Sequence, residues 1–262
     1  NRILIITDAI TQPLYTPRVR FLYHYLKQQG IKIDWVTEEY ETIPSYFNIQ
    51  VKQIQFYKKK GMIGKIEWII KNTLSLLFDY KNRYFTNKTL KLTRNKHYDL
   101  VFCSTFHTFG LKTALTIAIK QNIPLHIDLR DIAEQCDRNE YNKSKLALNI
   151  FGKIYRKINI SRRNKILKHA NCITTVSPWH VDFIKIINSN THLIYNGYDA
   201  KLFYPQIVKS DYFDIIYSDT CIEVLETRSG SIKVRATYTE SVSADSLVDI
   251  GFEITATLPE IK

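Results

Sequence analysis

Several things are scarce in this sequence, and each scarcity removes a class of protein. There are four cysteines, far apart at positions 103, 136, 172 and 221. Cys103 and Cys172 fall inside apolar runs that read as buried strands, so packed, reduced thiols are expected rather than a disulfide framework or a metal site. No run of 18 apolar residues occurs, which excludes a membrane-spanning helix of ordinary length. No signal-peptide pattern opens the chain, and a cytoplasmic protein is expected. No G-x-G-x-x-G follows the first strand-like segment, so the dinucleotide fingerprint is missing. Acids are also unevenly supplied, with none between Glu140 and Asp182.

What is present points to a folded body. Of the 262 residues 45% are hydrophobic, enough to bury a full core and to argue against general disorder. The net charge of +12 is concentrated in one part. Residues 1–206 hold 32 Lys+Arg against 15 Asp+Glu, whereas residues 207–262 hold 5 against 10. All seven His and all three Trp also precede residue 207. Two regions of different character are joined there, a domain of 1–206 and a short tail of 207–262.

Residues 98–135 organise the larger region. Leu100, Val101, Phe102 and Cys103 form an apolar run without alternation, as a strand buried on both faces requires. Between Gly110 and Gln121, Leu111, Ala114, Leu115, Ala118 and Ile119 recur at three- and four-residue spacing, which predicts a helix. Pro124 opens a second buried strand, 125–129, that stops at Arg130-Asp131. Parallel strands joined by a helix cross over right-handedly. Both would deliver polar residues, Ser104-Thr105-Phe106-His107 and Arg130-Asp131, to the edge where open parallel sheets bind ligands.

Similar units lie on either side. Residues 2–8 predict a buried first strand; Pro17 opens a helix over 18–29 closed by Gly30, and 31–37 make a second strand. Residues 48–57 alternate and predict a third, less buried strand. After Lys58-Lys59-Lys60, residues 63–78 read as an apolar helix flanked by Lys65, Lys71, Lys81 and Arg83. It either packs on the sheet with its lysines in solvent or lies on a membrane surface. Residues 142–170 predict a long helix or helix pair with nine Lys and Arg, Lys143 to Lys168, and with Leu146, Ile150, Ile154 and Ile158 on one packing face. The basic remainder is a solvated face or one that meets phosphates. Aromatic interleaving and nucleic-acid motifs are missing, so nucleic acid is not an expected partner. Residues 172–176 predict another strand, Ser177-Pro178 a helix start, 193–195 a strand and Asn196-Gly197 a turn. The expectation is an α/β fold, a doubly wound, mainly parallel Rossmann-like sheet with a small C-terminal β-meander.

In order and spacing these motifs resemble the N-terminal, acceptor-side domain of GT-B glycosyltransferases of the family 4 type. PLYTPRVRFLYHYLKQQGIKIDWVT is similar to that family's opening loop, helix and strand. IPLHIDLRDIAEQ resembles its strand ending in Arg-Asp, and ANCITTVSPWHVDFI with LIYNGYDAKLFYP its Val-Ser and Asn-Gly-x-Asp segments. The likeness covers residues 1 to about 206. It implies one half of a GT-B fold and a metal-independent hexosyltransferase with no cofactor, a nucleotide sugar being the donor substrate. It also implies an acceptor held by this domain and a role in polysaccharide or glycolipid synthesis. In such enzymes the donor-binding groups come mainly from a second domain and include an E-x7-E pair, which residues 207–262 do not contain. Ile222-Val224, Ile232-Val234-Ala236 and Val248-Ile250-Phe252-Ile254 alternate instead and predict a meander. The alternative expectation is therefore a non-catalytic, membrane-associated acceptor subunit or a truncated remnant that needs a separate donor-binding chain.

Asp131 is the candidate catalytic residue, since an acid at that strand end can hold an acceptor hydroxyl or assist proton transfer; the plain reading is a salt bridge or a helix cap. Substrate-binding candidates are Thr16, Arg18 and Arg20 around the first helix start, where the helix dipole favours anions, together with His107 and Arg130. Asp128 shares a strand face with Arg130 and is read as orienting its guanidinium, while His126 is read as core. The partners expected are a sugar or lipid-linked acceptor, an anionic membrane surface met by residues 58–78 and 142–170, and a second chain met by the β-rich tail. That makes the protein peripheral at the inner face of the membrane.

Overall fold

The computed structural model describes residues 1–8, 17–39, 43, 45–57, 61–105, 108–132, 134, 150–197, 221–228, 231–237 and 253–257. The chain divides into two compact units, Asn1–Phe203 and Tyr204–Lys262.

The first unit is a seven-stranded parallel sheet. Its strands are β1 (Arg2–Thr7), β2 (Lys32–Glu38), β3 (Val51–Ile54), β4 (Leu100–Thr105), β5 (Leu125–Leu129), β6 (Cys172–Thr175) and β7 (Thr191–Leu193), in the order β3-β2-β1-β4-β5-β6-β7. Every neighbouring pair is parallel, with Ile5 opposite Trp35 and Phe102, and Thr105 opposite Leu129. The order runs outward in both directions from β1 and β4. This is the doubly wound arrangement, with its switch point between those two strands.

Alternate residues of each strand enter two separate cores. Leu4, Ile6, Val101, Cys103, Leu125, Ile127, Leu129 and Ile173 face one layer of helices: α3 (Tyr80–Leu92), α4 (Leu111–Gln121), α5 (Ile150–Leu167) and α6 (Pro178–Lys185). Ile3, Ile5, Trp35 and Phe102 face the other way, onto Val19 and Tyr23 of α1 (Pro17–Gln28). The near-continuous apolar runs of β1, β4 and β5 follow from burial on both sides.

Local chemistry sets the helix ends. At the end of α1, Gly30 has φ +73°; its N–H donates to the Lys27 carbonyl and that of Ile31 to the Leu26 carbonyl, satisfying two terminal carbonyls. Asn122 does the same for α4, at φ +53°. The expected strand at 48–57 is only four residues long, and the part of the 142–170 helix that is described is α5. Residues 63–78 lie in α2 (Gly61–Phe78), which continues through Asp79, a left-handed residue at φ +57°, into α3. Only Lys65 of its two lysines is exposed; Lys71 is half-buried against Glu67 and the Phe56 carbonyl. This corrects the reading of α2 as a helix whose lysines sit in solvent. Among the described residues no helix is long and apolar enough to cross a membrane.

In the second unit β8 (Cys221–Arg228), β9 (Ser231–Thr237) and β10 (Glu253–Thr257) form an antiparallel sheet in the order β10-β9-β8.

Candidate functional site at the carboxyl edge of the sheet

All four central strands end on polar residues: Thr7-Asp8, Ser104-Thr105, Asp128 with Arg130-Asp131, and Thr174-Thr175. The two-residue period divides them between the faces. On the α1 side the Asp128 carboxylate, with 0% exposure, accepts hydrogen bonds from Ser104 Oγ at 2.9 Å and Thr174 Oγ1 at 2.8 Å. Arg18, in the first turn of α1, closes over it. Its Nε donates to Oδ2 at 3.2 Å and its Nη2 to Oδ1 at 2.9 Å, while Nη1 donates to the carbonyls of Ile194 and Tyr195 at 2.8 and 2.9 Å. One guanidinium thus ties α1, β5 and the segment leaving β7. A fork of this kind suits Arg and not Lys.

On the opposite side Thr105 Oγ1 donates to Asp8 Oδ2 at 3.0 Å, and Thr175 Oγ1 lies 3.1 Å from His180 Nδ1. His180 sits in the first turn of α6, after Ser177 and Pro178, and is 2% exposed. Its Nε2 is buried without a hydrogen-bond partner. Burial pulls its pKa below the ordinary imidazole value, and the Asp131 carboxylate pulls it the other way. Burial likewise lowers the Arg130 guanidinium, opposed by Asp128, Asp131 and Asp8. Three acids, two arginines and an imidazole therefore share this edge.

Of the residues singled out from sequence, Arg18, Arg130 and Asp131 come together here. Asp131 is partly exposed, and the Arg130 N–H donates to the Thr105 carbonyl at 3.1 Å, joining the end of β5 to β4. Arg20 lies instead against Phe47, its guanidinium carbon 4.1 Å from the ring centroid, a cation–π contact. Thr16 and His107 lie outside the described residues. Asp128, read as orienting Arg130, acts on it only through its charge and accepts its hydrogen bonds from Arg18, Ser104 and Thr174; this is a correction, because the guanidinium it holds comes from 110 residues away. His126 is edge-on to Phe102, with Nε2 3.1 Å from Thr174 Oγ1, a packed position as read.

Sequence reasoning passed over Asp8 and His180, although each directly follows a strand end or a helix-start motif. Among the described residues no group of three or more His, Cys, Asp and Glu side chains could hold a metal ion. A partly exposed carboxylate that follows a guanidinium in the chain and shares a sheet edge with a buried imidazole can hold a hydroxyl.

The first unit is thus an α/β Rossmann-like domain with its polar groups gathered at the ligand-binding edge. No family model and no curated protein matches the sequence. Among solved structures, Anabaena HepE in complex with UDP and glucose is similar over 77% of this chain and 46% of its own, at 13% identity and a TM-score of 0.45. Acinetobacter baumannii MurG is similar over 76% and 46%, at 14% identity and 0.39. S. aureus MnaA with UDP is similar over 75% and 44%, at 11% and 0.40. The chain spans under half the length of each. The fold assignment stands on strand order and register.

Proposed function

We propose that residues 1–206 are the acceptor-side half of a GT-B-type sugar transferase, with Asp131 meeting an acceptor hydroxyl and Arg130 beside it. The observation that carries this reading is the convergence of Asp8, Asp131, Arg130 and His180 on the carboxyl edge at and beside the β1–β4 switch point, in a chain with the resembling motif series in order. Polysaccharide or glycolipid synthesis is the process such an acceptor half would serve.

A second reading, a non-catalytic acceptor subunit, is favoured by one observation: the described residues beyond Phe203 form three antiparallel strands. A donor-binding half of the parallel kind would pair such strands in parallel.

Backbone amide NMR of the full chain, titrated with free saccharides, lipid-linked sugars and nucleotide sugars, tests both. The expected outcome is saccharide-induced shifts confined to Arg130, Asp131 and the ends of β1 and β4. Asp131→Ala should weaken them about tenfold, as loss of one charged hydrogen bond implies. Nucleotide-sugar binding selects the enzyme, and its absence alongside acceptor binding selects the subunit. No response at this edge to any sugar would overturn the proposal.

A further inference from the structure

Helix α2 is amphipathic in the wrong sense for a globular protein. Its inner side, against α3 and the segment that leaves β3, carries polar residues that find partners there, the buried Asn72 Nδ2 excepted. Glu67 pairs with Lys71 at 2.7 Å, Asn72 Oδ1 accepts from Tyr57 Oη at 3.0 Å, and Ser75 Oγ accepts from the Lys81 N–H at 3.2 Å. Its outer side is apolar. Met62, Ile63, Ile66, Ile69, Ile70 and Leu77 are 53% to 80% exposed, and at 100° per residue they fall on one side of the helix as a stripe interrupted by exposed Thr73. Trp68, which lies off the stripe on the side of Lys71 and Ser75, is also half exposed. Soluble proteins rarely leave such a patch open.

At the C-terminal end of the stripe lies a cavity of about 380 Å³ between the α2–α3 turn, the start of α4 and α5. Leu77 and Phe78 form its apolar lip, and Arg83, Lys112, Arg162 and Lys165 line it. Arg163, also on its wall, is bonded to Glu134 at 2.6 and 2.8 Å. Among the described lining residues the one carboxylate is Asp79, already held by Lys112 at 2.5 Å and Asn82 at 2.7 Å, with Arg162 at 3.7 Å. Cations outnumber acids in a pocket that opens beside an apolar ridge.

We infer that α2 lies on an anionic phospholipid bilayer, with its isoleucine stripe in the acyl boundary, and that the cavity at its end takes a headgroup phosphate. The two features are complementary to an amphiphile with an apolar tail and an anionic head. A second copy of the chain is a poor occupant, because the same cations would meet across a two-fold axis. The inference does not depend on sugar transfer.

The test is sedimentation of the full chain with vesicles of phosphatidylcholine alone or mixed with phosphatidylglycerol, at low and high salt. Binding is expected only to the mixed vesicles, and it should weaken with salt. Ile66→Ser with Ile70→Ser should reduce partitioning at least about tenfold, from roughly 0.8 kcal/mol per buried CH₂. These residues face solvent, so the thermal melt should not move. Arg162→Gln should reduce binding about fivefold, near the 1 kcal/mol expected per basic residue at the surface. Lys91→Gln, away from the cavity, should leave binding within about twofold. Failure of the wild-type chain to bind mixed vesicles overturns the inference. So do serine variants that bind normally, self-association through the stripe without vesicle binding, or equal loss from Arg162→Gln and Lys91→Gln. Tight binding of inorganic phosphate by a chain that ignores vesicles overturns it as well.

Discussion

Removing either member of the Arg18–Asp128 pair should expose how much of the domain it holds. The carboxylate is fully buried and accepts four hydrogen bonds, two of them from the guanidinium, whose side chain is 14% exposed. Asp128→Ala leaves a guanidinium facing two hydroxyls without its carboxylate; Arg18→Ala leaves a buried carboxylate hydrogen-bonded only to Ser104 and Thr174, with the Arg130 charge nearby. Breaking one side of a buried pair costs about 3–5 kcal/mol. The fully enclosed acid places Asp128→Ala near the upper end, while residual exposure places Arg18→Ala nearer about 3 kcal/mol. Since each single variant orphans the other group, the double variant should be less destabilised than the sum by at least about 2 kcal/mol. Arg18→Lys should recover little, because an ammonium cannot supply the fork and both carbonyl contacts together. Urea titrations of the four proteins at constant pH and salt give the cycle. Additivity within about 0.5 kcal/mol, the range seen for sites that do not interact, would refute the reasoning.

Two further outcomes follow from the same chemistry. Glu134→Ala should cost about 3 kcal/mol in urea unfolding, because Arg163, whose side chain is 0% exposed, would keep its charge with Asn164 as its remaining polar partner; a cost under about 1 kcal/mol, the level of a surface pair, would contradict a buried bridge. Acid should act in two stages. His126 and His180 have pKa values held below 6.5 mainly by burial, so the unfolded chain binds more protons and stability, full above 6.5, falls as pH drops below it. For Asp34 burial raises the pKa, but the Lys96 hydrogen bond and charge, the Tyr98 hydroxyl and Arg2 together lower it below 3.8. Its contribution is present above 3.8 and is lost as pH falls below that value. Urea midpoints across pH should show the first stage flattened in His126→Gln with His180→Gln, and the second removed in Asp34→Asn; an unchanged profile in either variant contradicts the assignment.

The parts of this fold that could be read from sequence are those where apolar burial and backbone chemistry point the same way. The β4–α4–β5 unit is one, because strands buried on both faces carry no polar residues until they leave the core. The end of α1 is another, since Gly30 alone there can take the left-handed turn without cost. Helix α3 escaped because much of its inner face is threonine. Thr86, Thr89 and Thr93 are buried with their hydroxyls donating to carbonyls four residues earlier, and Thr86 also meets Thr113 of α4 at 2.8 Å. A search for apolar periodicity does not register such a face. Asp128 was given the wrong partner because sequence shows only near neighbours on one strand, whereas Arg18 reaches it across the switch point. Helix α2 was legible in its periodicity, and of its two readings the packed one, with lysines in solvent, inverted its facing.

That inversion of roles also separates the residues of the carboxyl edge by what they can do. Asp128 is enclosed and saturated, so it can neither receive a substrate hydroxyl nor take a proton without giving up Arg18. Arg18 spends its fork on Asp128 and its remaining reach on two carbonyls, which makes it a staple. Asp131 is partly exposed, follows Arg130 in the chain and acts through its charge on His180, the surroundings in which a carboxylate meets a ligand. Substitutions on the α1 side should therefore lower stability, and ligand binding only as a consequence. Substitution of Asp131 should change ligand binding at nearly unchanged stability. The two kinds of residue are three positions apart: Asp128 lies inside β5, whose neighbours enclose it, whereas Asp131 lies two residues past the strand's end and is left to the crevice.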